Sequence, residues 1–240
     1  MKIKSLTFAG HSSVFLNCSD GKLDFVIGID PWLSNNPLCP IELREPKELD
    51  LIIVTHGHSD HAEDVVGLTK RLGSSIIANY ELGLLFHEDG VPHEKIIPIN
   101  KGGTVTYKGL HITLTNAFHS SSYTSEKHRT KYAGEPCGVV VRDTNNSVYH
   151  AGDTNLFGDM HYIKQLYNPT VCLLPVGDRF TMGPKEASIA AEIIGANVNI
   201  PIHHSTFPLL TGTPQSFQNE CIQRGLQSVI LTPGEEFILS

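Results

Sequence analysis

The chain has 240 residues, of which 40% are hydrophobic and 18% charged, the size and composition of one ordinary globular α/β domain over residues 1–240 with a core large enough to need no disulfide staples. Eighteen Lys and Arg against 25 Asp and Glu leave a formal charge of −7, which argues against nucleic acid or an anionic membrane as partner and leaves a small-molecule substrate as the expected one; a homo-oligomer is compatible with the sequence. No stretch reaches the roughly 20 apolar residues of a membrane helix, residues 1–13 lack the apolar core of a signal peptide, and the five cysteines are scattered and never paired as C-x-x-C, so a cytoplasmic protein with reduced thiols is expected.

The predicted elements alternate short apolar runs with amphipathic stretches. An apolar run over 25–29 stops at Asp30-Pro31, a turn signal. Residues 51–55 read as a buried strand, and 61–72 as a helix ended by Gly73. A strand over 75–78 and a short helix over 81–87 follow. Thr104–Tyr107 and 111–115 alternate around Lys108-Gly109 as a hairpin, and 138–142 with Ser147–His150 make a second one around Thr144-Asn145-Asn146. A buried strand over 171–176 precedes a helix over Pro184–Ile194, with Pro184 in its first turn and Gly195 at its end. Val198–Ile202 is a strand, 214–224 a helix and 228–232 a last strand. Hairpins are too frequent for a pure βαβ series, so mixed sheets with helices packed outside them are expected.

The chemistry concentrates at Thr55-His56-Gly57-His58-Ser59-Asp60-His61, straight after the 51–55 strand. In an extended segment His56, His58 and Asp60 share a side, while His61 turns away as the helix starts, so one short loop can offer nitrogens and an oxygen to two adjacent cations. Imidazole and carboxylate suit zinc, with iron or manganese as alternatives. Gly57 allows backbone geometry that a larger residue would resist. With this chain's composition, H-x-H-x-D-H arises by chance only about 0.002 times per chain, which favours a metal loop over a polar turn with surface histidines.

H-x-H-x-D-H after an apolar strand resembles the metal motif of the metallo-β-lactamase superfamily. Later segments resemble the rest of its ordered ligand set: Ala117-Phe118-His119-Ser120, His150-Ala151-Gly152-Asp153-Thr154 and Pro201-Ile202-His203-His204-Ser205. The match runs from Gly10-His11-Ser12-Ser13 to Pro233-Gly234-Glu235. Ile29-Asp30-Pro31-Trp32, His150–Thr154, Phe180-Thr181-Met182-Gly183-Pro184 and the His203 segment are more narrowly similar to an uncharacterised branch of metal-dependent hydrolases, akin to ascorbate-phosphate lactonase and to the phospholipase D that cleaves N-acyl-phosphatidylethanolamine.

The resemblance implies a four-layer αββα sandwich with two mixed sheets and two divalent metal ions, Zn2+ first and Mn2+ or Fe2+ as alternatives. It implies that His56, His58 and His119 hold one ion, that Asp60, His61 and His203 hold the other, and that Asp153 bridges them. The pair His203-His204 is ambiguous in register, and the family pattern selects His203. Asp30 is expected to support the metal loop from behind, and His11 and His204 to line or support the same cleft. Asp178 and Arg179, after the 171–176 strand, are candidate substrate contacts. So are Lys127 and Arg129, in an irregular basic loop that starts after His119 and could hold a phosphate or carboxylate.

The implied activity is hydrolysis of an ester, lactone or phosphodiester by a water shared between two cations, with Asp60 helping to move the proton. A mononuclear iron redox enzyme on the same fold is the alternative. His58 disfavours a flavodiiron enzyme, which has an acid there. Asp153 disfavours a true β-lactamase, which lacks that carboxylate. The acidic balance disfavours a nuclease, and the intact ligand pattern disfavours an inactive binding scaffold.

Overall fold

The computed structural model describes residues 1–239. In chain order its elements are β1 (Lys2–Gly10), β2 (Ser13–Ser19), β3 (Asp24–Ile29), α1 (Ile41–Arg44), β4 (Leu51–Ile53), α2 (Ser59–Ala62), α3 (Val65–Leu72), β5 (Ser75–Asn79), α4 (Tyr80–Glu88), β6 (Ile96–Ile99), β7 (Thr104–Tyr107), β8 (Leu110–Asn116), β9 (Ser122–Tyr123), β10 (Lys131–Tyr132), β11 (Cys137–Arg142), β12 (Ser147–His150), α5 (Met160–Tyr167), β13 (Val171–Pro175), α6 (Pro184–Ile194), β14 (Val198–Ile202), α7 (Pro214–Gln223) and β15 (Glu236–Ile238). The strands form a seven-stranded sheet in the order β15-β1-β2-β3-β4-β5-β6, a six-stranded sheet in the order β14-β13-β12-β11-β8-β7, and the short ribbon β10-β9.

Strand alternation builds three apolar clusters from these two sheets. Ile27, Leu51 and Ile53 from the first sheet meet Ile112, Val139, Val141 and Leu173 from the second in the cluster between them. The opposite face of the first sheet buries Ile52 and Val54 against Val65, Leu68, Leu82 and Phe86 of α3 and α4. The opposite face of the second buries Val140, Cys172 and Leu174 against Ile163 of α5, Ala187 and Ala191 of α6 and Phe217 of α7. The result is helix, sheet, sheet, helix, and the central strands are apolar on both faces, as 51–55 and 171–176 predict. Each such Leu, Ile or Phe contributes about 1.5–3 kcal/mol by leaving water.

The structure departs from the sequence reading in several places, and α1, β6, the ribbon β9-β10 and α5 have no counterpart in it. The single helix expected over 61–72 is two, α2 and α3, with Glu63 and Asp64 between them in right-handed backbone and their side chains bound to residues 32–34. Glu63 Oε2 accepts from the Trp32 indole N–H (2.9 Å), and Asp64 Oδ2 accepts from the Leu33 and Ser34 N–H groups (2.6 and 2.9 Å). The strand expected over 228–232 is a single bridge, Asn199 to Ser228. The chain turns at Pro233-Gly234, where Gly234 has φ 93°, and pairs β15 with β1 in the other sheet. The hairpin β1-β2 has no counterpart in the sequence reading. A register shift between Ile3 and Ser5 breaks the period of two, so that Ile3, Leu6 and Phe8 all reach the same core.

Strands β3–β6 run parallel, as do β12–β14, and β8 runs the same way as β12 through its antiparallel neighbour β11. Their carboxyl ends open at one edge between the sheets. Asp30 directly follows β3, His203 follows β14, and the His56–His61 loop, His119 and Asp153 leave the ends of β4, β8 and β12. His11 sits in the turn between β1 and β2 at the same edge.

Candidate metal centre

Thr55 starts the loop. Its N–H donates to Asp30 Oδ1 (2.8 Å) and its hydroxyl to Asp30 Oδ2 (2.6 Å). The hydroxyl proton being used, Thr55 Oγ1 accepts from His56 Nδ1–H (3.1 Å), which leaves the lone pair of His56 Nε2 facing His58 Nδ1 at 3.0 Å. On the other side His61 Nδ1–H donates to Asp30 Oδ2 (2.8 Å) and turns His61 Nε2 into the site. The fully buried Asp30 thus fixes two imidazoles from behind.

Two groups of donors result. His56, His58 and His119 offer ligand atoms all within 4.8 Å of one another, and His11, Asp60, His61 and His203 form a second such group. Asp153 lies between them. Its Oδ2 is 4.0 Å from His56 Nε2, 3.6 Å from His119 Nε2 and 3.0 Å from His203 Nε2, and its Oδ1 is 3.4 Å from His61 Nε2. His61 Nε2 and Asp153 Oδ1 are buried without a hydrogen-bond partner. Buried polar atoms are costly when unpaired, and a cation between them would satisfy both.

The charges fit a cation too. Burial pushes the His56 imidazole well below its ordinary range, helped by His61; burial likewise lowers His58 and His119. These rings are neutral, as ligation requires. His61 is the exception. Burial works against its charged form, but Asp153 and Asp30 outweigh it and push it well above the ordinary range. Asp153 is penalised by burial, yet His203 and His61 hold it well below the usual carboxylate range. Two buried carboxylate groups flanking one ring call for positive charge at that point.

The remaining predicted residues separate into those at the site and those beside it. His203 Nε2 lies 4.0 Å from Asp60 Oδ2, while His204 turns away, its ring 6.3 Å from that of Phe8 and its Nδ1 3.1 Å from Ser205 Oγ. Both residues lie just beyond β14, and the left-handed backbone of His203 (φ 54°) turns the chain so that the two rings part. Asp178 and Arg179 are exposed, with φ of 62° and 61°, and Asp178 Oδ2 accepts from Thr211 Oγ1 (2.9 Å). Their loop touches the site through its backbone: a Cβ on Gly177 would fall 2.1 Å from the carbonyl oxygen of His203.

A cleft of about 1020 Å³ opens beside His58 and Asp60 and continues past Val66 and Lys70 to Ser122–Lys127. Lys127 lines it, but its Nζ donates to Glu88 O (2.8 Å), and Lys70 Nζ donates to Asp89 O (2.7 Å). Both ammonium groups therefore cap the carboxyl end of α4. Arg129 is exposed and is not among the lining residues. His128 is buried and sits 3.2 Å from Glu88 Oε2 and 3.4 Å from Asp89 Oδ1. The basic loop is thus a strap fastened to α4. It also explains Gly57: a Cβ there would lie 2.9 Å from both Ala133 Cβ and Ser122 O, so packing rather than backbone dihedral demands the glycine.

Four further residues hold the site and are absent from the sequence reading as such. Ser121 Oγ accepts from the Gly57 N–H (3.2 Å). Thr154 Oγ1 accepts from the Phe118 N–H (3.0 Å), joining the Asp153 and His119 loops. His150 Nε2–H donates to Ser12 O (2.9 Å), and its Nδ1 accepts from Gly152 N–H (3.1 Å). Thr206 Oγ1 lies 2.8 Å from His11 Nδ1. Each neighbours a residue of the metal motifs, the one signal that could have found it.

A two-sheet sandwich with an H-x-H-x-D-H loop and His and Asp donors at one edge is the metallo-β-lactamase fold, and residues 25–204 match the family model described as "Beta-lactamase superfamily domain". The chain belongs to that superfamily and, within it, to the family of UPF0173 metal-dependent hydrolases. It is 43% identical over 234 residues to the UPF0173 metal-dependent hydrolase of Rubrobacter xylanophilus, covering 96% of this chain and 95% of the relative. It is 43% identical over 237 residues to that of Methanopyrus kandleri, covering 97% and 98%. Among solved structures it is similar to Igni18, a metallo hydrolase from the hyperthermophilic archaeon Ignicoccus hospitalis, with a TM-score of 0.86, 32% identity and coverage of 100% of this chain and 99% of that one. No helix among the described residues is long and apolar enough to cross a membrane.

Proposed function

We propose that this protein is a dinuclear hydrolase, with zinc the first candidate, acting on an ester, lactone or phosphodiester of a polar small molecule. The observation that carries this reading is the place of Asp153, whose carboxylate lies 3.0–4.0 Å from imidazoles of both donor groups. His56, His58 and His119 would hold one ion, Asp60, His61 and His203 the other, and Asp153 both. Bound there, two divalent cations supply an acidified water and an electrophile for the bond under attack.

The chain's own groups do the rest. Asp30 and Thr55 orient His61 and His56, so the donors need not reorganise as charge develops. Asp60 Oδ2 is engaged by His11 Nε2 at 3.1 Å, which leaves its Oδ1 to take the proton released during attack. The Asp60 carboxyl carries no proton of its own, and its depressed range makes it a relay for that proton and not a resting place for it. Burial opposes its ionisation, but the hydrogen bond from His11 and the charge of His61 hold it well below the usual carboxylate range. Beyond Asp60 the cleft is lined mainly by hydroxyl and charged side chains, with Ala62 and Val66 as its aliphatic ones, which favours a polar substrate over a lipid tail.

The test is metal analysis of the purified protein followed by activity profiling of metal-loaded protein on lactones, phosphodiesters and thioesters. About two divalent ions per chain and hydrolysis abolished by chelation are expected. One iron per chain with oxygen-dependent turnover would replace this reading by the mononuclear redox one.

A further inference from the structure

The turn between β1 and β2 is unusual for its composition. Its two central residues are His11 and Ser12, flanked by the pair Gly10 and Ser13. His11 has φ 57°, the left-handed region that two-residue hairpin turns normally give to glycine or asparagine. A side chain in that region costs on the order of 1–2 kcal/mol. Such strain persists only where the surroundings over-determine it.

They do so here. His11 O accepts from the His203 N–H (2.7 Å), Ser12 O from His150 (2.9 Å), and Gly10 O from Asn36 Nδ2 (3.2 Å), while Ser13 Oγ donates to Asp30 O (2.7 Å). The turn thereby touches the loops that carry His203, Asp153 and Asp30. The His11 side chain is fully buried, and its two ring nitrogens have one partner each, Asp60 Oδ2 at 3.1 Å from Nε2 and Thr206 Oγ1 at 2.8 Å from Nδ1.

We propose that His11 is a positioning residue for Asp60: its Nε2–H donates to Asp60 Oδ2, and the Thr206 hydroxyl, donating to Nδ1, holds the ring in the tautomer that makes this donation. The geometry sets the direction. A carboxylate oxygen accepts, so the ring N–H that meets Asp60 Oδ2 at 3.1 Å is the one on Nε2. Nδ1 is then an acceptor, and the Thr206 hydroxyl fills it. The hydroxyl's other acceptor, His204 O, is the longer contact at 3.1 Å. His11 Nε2 also falls within 4.8 Å of the ligand atoms of Asp60, His61 and His203, which would suit a direct ligand. The Nε2 atom is turned to Asp60 Oδ2 at 3.1 Å, so in the proposal His11 acts through Asp60, and the glutamine variant below distinguishes this from direct ligation.

This inference rests on the metal-centre reading above, and the test separates the two. Stepwise binding of Zn2+ to the full-length metal-free chain is measured by calorimetry, with thermal unfolding alongside. His11→Ala should weaken one of the two binding steps about 10- to 100-fold and leave the other unchanged. His11→Gln, whose side-chain amide can donate to Asp60 as Nε2 does, should recover most of that affinity. Thr206→Val should weaken the same step several-fold without altering any residue of the donor groups. A glutamine variant as weak as the alanine one would overturn the proposal, as a direct ligand is not replaced by an amide. So would an alanine variant that loses thermal stability while both steps keep their affinity. Wild-type protein that binds no Zn2+ would instead sink the metal-centre reading itself. If His11→Ala does not fold, the glutamine and valine variants still decide.

Discussion

The two donor groups differ in how they are supported. The group of His56, His58 and His119 is all imidazole. Its rings are held neutral by burial, and its one tie to an acid behind it runs from His56 through Thr55 to Asp30. The group of Asp60, His61 and His203 is wired to carboxylates directly, with Asp30 2.8 Å behind His61 and Asp153 3.0 Å from His203. Without a cation the first would remain a set of neutral rings, whereas the second would be left with buried carboxylate groups against its imidazoles. The second group should therefore matter more to folding, and both equally to chemistry.

The largest expected effect comes from the residue the two groups share. Asp153→Asn keeps the shape but removes the charge between them, and turnover should fall on the order of 10³-fold with little change in unfolding temperature. Unchanged turnover by the variant, measured on whatever substrate the panel identifies, would remove Asp153 from the site.

The next effect separates the groups. His61→Ala leaves the buried Asp30 carboxylate with Thr55 alone and should cost about 3 kcal/mol, read by denaturant unfolding of metal-free protein. His58→Ala, at a half-buried ring, should cost about 1 kcal/mol or less while still abolishing one metal equivalent. Equal costs for the two variants would erase the distinction drawn between the groups.

A smaller effect tests the end of β14. His203→Ala should lose the metal step of the second group. His204→Ala should keep both steps and cost about 2 kcal/mol through the cavity left beside Phe8. Metal loss in the His204 variant alone would mean that the register at this strand end is off by one.

What the sequence displayed and what it concealed follow from range. The His56–His61 loop was legible because its donors are crowded into six residues; double-sided apolar runs such as β4 and β13 pointed only to buried strands in mixed sheets, and the four-layer sandwich followed from the resemblance that the loop carries. The hairpin β1-β2 was not legible, since one bulge at Lys4 destroys the alternation that marks a strand. The bonds at the α2–α3 junction were not, since Glu63 and Asp64 answer to Trp32, Leu33 and Ser34, about 30 residues earlier in the chain. The ties of the basic loop were hidden for the same reason: its charges look free in sequence, yet Lys127 and His128 are turned toward Glu88 and Asp89 some 39 positions away. Contacts between loops at a sheet edge leave no local periodicity to read.

The smallest effect is an absence of sulfur from either donor group. Cys18 and Cys137 lie in the cluster between the sheets, Cys39 under α3 and α4, and Cys172 and Cys221 under α5–α7. Burial pushes the thiols of Cys18 and Cys137 up to about 12, those of Cys39 and Cys221 up to about 11, and that of Cys172 well above its ordinary range. A thiol that stays protonated neither ligates nor reacts. At pH 8 a thiol reagent should therefore modify almost none of the five cysteines in the folded protein and all of them in denaturant. The Co2+-loaded protein should show ligand-field bands without a sulfur-to-cobalt charge-transfer band. Such a band would place a thiolate at one of the two groups and overturn the purely nitrogen and oxygen character on which their comparison depends.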